Sequence, residues 1–107
     1  MKIIIIMIMS LFMLFSAQGA DPKTNWANNC MQCHGPDGSA NTSMGKALNA
    51  KDLTDAGIQA SFTDAQAAAA IKDGVTKDGT LRMSAFGATL TDDEIKALVA
   101  YVRTLKK

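Results

Sequence analysis

The apolar residues of this chain are unevenly spread, and their spacing changes along it. Lys2 is followed by a run of 13 residues, Ile3 to Phe15, that only Ser10 interrupts. Beyond residue 20 the long runs disappear and the pattern becomes helical. At the carboxyl end Ile95, Leu98, Val99, Val102 and Leu105 recur at steps of three and four, one apolar stripe of an amphipathic helix. Thr91 and Glu94 stand at capping-box spacing before it, with Leu90 and Ile95 placed for a hydrophobic staple. Asp92, Asp93 and Glu94 meet the positive end of the helix dipole; Arg103, Lys106 and Lys107 meet the negative end.

A second helix is expected over about residues 64–73. Thr63 and Gln66 repeat the capping-box spacing, the alanine run 67–70 favours helix, and Gly74 suits the residue just past its end. A third is expected from Pro22 or Lys23 to Cys30, with proline in its first turn. A short helix is expected near Lys51 to Asp55. Sustained alternation of β-branched residues is missing, so the fold class is all-α with little or no sheet. Gly35-Pro36-Asp37-Gly38 and Lys77-Asp78-Gly79 read as turns.

The amino-terminal run has the form of a secretory signal peptide: one lysine, a short apolar stretch, then small residues around Ala17 to Ala20. It falls short of the ~18 residues that suggest a membrane-spanning helix, which weighs against an uncleaved anchor. Cleavage is expected after Gly19, with Ala20 as the alternative, leaving one domain over residues 20–107 in the periplasm or a similar exported space. The positive and negative side chains of that domain balance, so nothing points to nucleic acid or an anionic membrane as partner. No stable membrane insertion is expected after cleavage, and the domain is expected to be a monomer.

Removing the leader changes the composition. Residues 21–107 keep 36 apolar residues, but 15 are alanines, leaving 21 large apolar side chains for a core. So small a domain commonly needs a staple or a bound group.

The two cysteines supply the candidate. Cys30-Met31-Gln32-Cys33-His34 is a C-x-x-C-H sequence, read as covalent attachment of a c-type haem. Thiols three residues apart on one helical turn can add to the two vinyl groups on one edge of a porphyrin, and the next residue, His34, comes under the iron as axial ligand. Three other readings compete, a chance occurrence of the motif being one. C-x-x-C also serves thiol–disulfide exchange, but the βαβ context of that chemistry is missing. A closed zinc site takes four protein ligands, and the motif offers three with no second Cys or His pair. Export also makes idle thiols uncommon.

His34 is the only histidine. Bis-histidine ligation within one protomer and a second haem of this type are therefore excluded. A methionine, a lysine or an open position remains for the far side of the iron, and a thioether favours ferrous iron. Met31 lies inside the motif, and Met44 is a short reach from His34. Met83, 49 residues beyond His34 in an expected loop between two helices, is the preferred ligand. Met44 is read as a flexible core filler. The cofactor-binding set is thus Cys30, Cys33, His34 and Met83, with His34 and Met83 on the metal.

From about Trp26 to Leu105 the chain resembles small mono-haem class I c-type cytochromes of bacteria. Cys30-x-x-Cys33-His34-Gly35 with Gly38 is similar to the family's attachment segment, Arg82 to Phe86 to its distal ligand segment, and Glu94 to Leu105 to its last helix. The resemblance implies three to four helices wrapped around one covalently bound haem. It also implies that Trp26 and Tyr101 sit where the first and last helices cross. Two departures stand out. Ser84 follows Met83 where the family often has proline. Lys46 lies near the place of a proline whose carbonyl accepts from the axial imidazole.

The function expected from these residues is a soluble exported electron carrier whose iron cycles between Fe(II) and Fe(III) among redox partner proteins. It is not expected to be an enzyme in itself, since its one histidine is spent on iron. The alternatives are a haem subunit of a periplasmic oxidising complex, for example one acting on sulfur compounds, and a gas-binding haem module. Lys46, Lys77 and Arg82 are candidates for steering an acidic partner; an ordinary solvated surface is the plainer explanation.

Overall fold

The computed structural model describes residues 19–107; the expected signal peptide, apart from Gly19, lies outside the described residues. Asp21 starts the first helix by accepting a hydrogen bond from Thr24 N at 2.9 Å, and Pro22 stands in the first turn. From there α1 (Pro22–Asn25), a π turn (Trp26–Cys30) and α2 (Met31–His34) form one unbroken helical rod. The rod thus continues through the whole C-x-x-C-H sequence, past the expected end at Cys30. Gly35, at φ 78°, ends it with its N–H bonded to the Met31 carbonyl.

The segment after the rod holds more helix than its pattern announced. Thr42 caps α3 (Ser43–Leu48) and Asp55 caps α4 (Ala56–Ala60), each side chain accepting from the backbone N–H three residues on. The short helix expected near Lys51 to Asp55 does not form. Asp52 instead accepts from both the N–H and the hydroxyl of Thr54, at 2.9 and 2.6 Å, and this local turn competes with helix. Among the described residues the helical stretches therefore outnumber the expected three to four.

The two strongest expectations hold. α5 (Asp64–Asp73) and α6 (Asp92–Thr104) carry complete capping boxes, Thr63 with Gln66 and Thr91 with Glu94. Leu90 and Ile95 are both buried, as a staple requires. Between these helices lies a hairpin, where little or no sheet was expected. β1 (Val75–Lys77) pairs antiparallel with β2 (Thr80–Met83). Asp78 and Gly79 both have positive φ, 53° and 74°, so the expected turn is the kind that joins two short strands. Each strand is too short to show alternation.

The core gathers Trp26 and Cys30 from the rod, Leu53, Ile71 from α5, Leu90, and Ile95, Leu98, Val99 and Val102 from α6. The first and last helices cross here. Trp26 is 2% exposed, and its ring centroid lies 5.5 Å from that of Tyr101, as the resemblance implied.

Candidate functional site

The rod places the C-x-x-C-H residues on its last turns. Both cysteines are free thiols, Cys30 buried and Cys33 half-buried. Burial, and next the neighbouring Cys33, push the Cys30 thiol up to about 11. It is therefore held as the neutral thiol at ordinary pH. Among the described residues no group of three or more His, Cys, Asp or Glu side chains is arranged to hold a metal ion, so the zinc reading gains no fourth ligand.

His34 is fixed by its surroundings. Its ring centroid lies 5.7 Å from that of Trp26, whose Nε1 donates to the Gly35 carbonyl at 3.1 Å. Burial holds the imidazole below its ordinary pKa, and the Lys51 backbone pulls weakly the other way. Nδ1 of His34 is buried without a hydrogen bond of good geometry, even though the Lys51 backbone comes near. The backbone beside the imidazole thus belongs to Lys51. Lys46, near the place where the family often has proline, lies in α3 with its carbonyl accepting from Asn49 N.

Next to the motif is a cavity of about 390 Å³, in the range of ordinary small-molecule and cofactor sites. Cys30 and His34 line it from the rod, and Met83 from the end of β2. Most of the remaining wall is apolar. Trp26, Leu53 and Phe62 contribute, with Ala67, Ala70 and Ile71 on α5, Val75 on β1, and Leu98 and Val102 on α6. A larger open groove of about 620 Å³ runs between α5 and α6, but it contains neither a cysteine, a histidine nor a methionine. The chemistry lies in the smaller cavity.

Three of the four expected cofactor residues, Cys30, His34 and Met83, therefore share one cavity. Cys33 is on the same rod but not in the cavity wall; its carbonyl accepts from the Thr42 hydroxyl at 2.7 Å. Met83 sits at the end of a strand, not in the plain helix–helix loop expected for it. Met44 is 43% exposed on α3 and outside the wall, so it is no core filler. Lys46, Lys77 and Arg82 do not line the cavity either, whereas Lys51, Ser61 and Gln66 do. Nothing in the spacing of those three polar residues marks them, because three separate segments bring them together.

The donor set fits a haem. Two unbridged thiols lie on one helical turn, a half-buried imidazole has an Nδ1 without a hydrogen-bond partner, and a thioether from a distant strand shares an apolar cavity with that imidazole and with Cys30.

Comparison with known proteins points the same way. Residues 17–102 match the family described as cytochrome c oxidase, cbb3-type, subunit III. The solved structure of the "KustC0563 c-type cytochrome" is 35% identical, covers 82% of this chain and all of that one, and superposes with a TM-score of 0.73. A tyrosine-to-phenylalanine mutant of that cytochrome is 34% identical over 81% of this chain and all of its own, with a TM-score of 0.70. No curated protein matches the chain. On the cavity, the family match and the shared fold, the chain belongs to the small class I c-type cytochromes, proteins built around a covalently bound haem iron.

Proposed function

We propose that this chain is an exported carrier of single electrons, holding one haem through thioether bonds to Cys30 and Cys33 with His34 and Met83 as axial ligands. The reading rests above all on Cys30, His34 and Met83 lining one largely apolar cavity from two separate elements. A haem bound there supplies an iron that takes up and gives back one electron at a time.

The residues around it keep that exchange simple. Trp26, packed on His34 and tied to the Gly35 carbonyl, fixes the imidazole plane. The soft thioether of Met83 favours the ferrous state. The apolar faces of α5 and α6 exclude water, which also disfavours the ferric charge. His34 and Met83 together would leave a bound haem no open position for a substrate, so the partners would be other redox proteins that meet the molecule at its surface.

Intact mass of the protein recovered from the exported fraction tests this. The expected mass is that of residues 20–107 plus one haem. A haem-free mass would overturn the attachment, and retention of residues 1–19 would overturn the cleavage. The matching family is described as an oxidase subunit, and that description is the basis of a second reading in which the same domain would work inside a larger complex. Co-purification with an oxidase would favour that over a free carrier.

A further inference from the structure

Haem is lopsided: its two vinyl groups lie on one edge and its two propionate carboxylates on the opposite edge. Cysteines that take the vinyl edge therefore decide where two negative charges must go. Apart from His34, the polar side chains in the cavity wall are Lys51, Ser61 and Gln66. None belongs to the rod that carries Cys30; they gather around Phe62 from the turn before Leu53, the end of α4 and the first turn of α5.

Not all of their donors are free. The Ser61 hydroxyl donates to the Ile58 carbonyl at 2.6 Å, and Gln66 Oε1 accepts from Thr63 N, which leaves the Gln66 Nε2 group unspent. Arg103 lies over the other part of this cluster, 4.4 Å from the Phe62 centroid, but its guanidinium is committed. It donates to Asp64, to Gln59 and to the Phe62 carbonyl. Lys51 Nζ is 5.9 Å from the same ring, and among the described residues it pairs with no carboxylate. Lys51 is exposed, lines the cavity and has no acid of its own, so it is a cation free to meet carboxylates placed there.

We propose that Lys51 is the residue that receives the haem carboxylates, with Gln66 Nε2 beside it, and that it thereby helps set the reduction potential. The proposal rests on the haem reading above. A cation held at this place opposes the additional positive charge of ferric iron, so it raises the potential.

Redox titration of the haem-bearing protein tests this with three variants. Lys51→Gln is expected to lower the potential, and Lys51→Arg to restore it. Lys96→Gln removes the same charge from the exposed face of α6, away from the cavity, and is expected to shift the potential by clearly less. An unchanged potential in Lys51→Gln, or a shift equal to that of Lys96→Gln, overturns the proposal while the haem reading stands. A wild-type protein without covalent haem overturns both.

Discussion

In the proposed ligation, Met83 is the residue on which the electronic character of the site turns. Its side chain is half-buried in the cavity wall, whereas Met44 stands out in solvent. Met83→Ala is expected to abolish the methionine–iron charge-transfer absorption and to lower the potential, because a soft ligand to ferrous iron is lost. Met44→Ala is expected to leave both unchanged. A normal spectrum in Met83→Ala would move the ligand elsewhere. A second residue with a defined duty is Gln59, 5% exposed. Its Nε2 donates to the carbonyls of Leu53 and Val102, and its Oε1 accepts from Arg103. One amide thus ties the turn at Leu53 to the last helix and engages Arg103, whose charge is paired with Asp64.

At the scale of elements, the helix starts carry testable energy. Thr91 and Glu94 each satisfy the other's backbone N–H at the start of α6, and Asn25 donates from α1 to Glu94 at 2.8 Å. Thr91→Ala is expected to cost about 1 kcal/mol in denaturant unfolding. The Thr91 backbone N–H first, and the Asn25 amide next, hold the Glu94 carboxyl below its ordinary range. A depressed folded-state value means that the stabilisation is complete above the ordinary glutamate range. It is lost as pH falls through the folded value. Thermal melts of wild type should therefore drop more steeply with acid than those of Glu94→Gln; parallel curves would contradict this. The contact of α3 with the rod is equally specific. A Cβ at Gly45 would lie 2.7 Å from the Ala40 carbonyl oxygen and would also run into the Cys33 carbonyl. Gly45→Ala is expected to destabilise the folded protein by about 1–3 kcal/mol, as overpacking against backbone does. A melt unchanged from wild type would show that α3 can move away.

For the whole molecule the issue is how 21 large apolar side chains in 87 residues can hold a domain together. The core residues line the cavity as much as they pack on one another: Trp26, Leu53, Ile71, Leu98 and Val102 belong to both sets. A large flat apolar group placed there completes the core. Protein expressed without haem is expected to lack a cooperative thermal transition and to show weak helical circular dichroism, since the folded state loses the ligand that stabilises it. A sharp transition in the haem-free chain would contradict this. No described helix is long and apolar enough to cross a membrane.

What this sequence determined by itself was whatever depends on near neighbours. Capping boxes at Thr63 and Thr91, the stripe from Ile95 to Leu105 and the turn at Asp78-Gly79 are short-range physics and were legible. So was C-x-x-C-H, because its chemistry is carried by five consecutive residues. Even locally the reading failed where two short-range preferences competed: Asp52 chose a turn with Thr54, and α3 and α4 were too short to show a period. Tertiary structure alone decided which distant groups meet. It put Met83 on a strand facing the cavity and Met44 in solvent. It set the Lys51 backbone, not that of Lys46, beside His34. It also drew Lys51, Ser61 and Gln66 to Phe62 while tying up Arg103. These outcomes depend on how the segment between the rod and α5, and for Met83 the hairpin between α5 and α6, pack around the cavity, and no spacing along the chain encodes them.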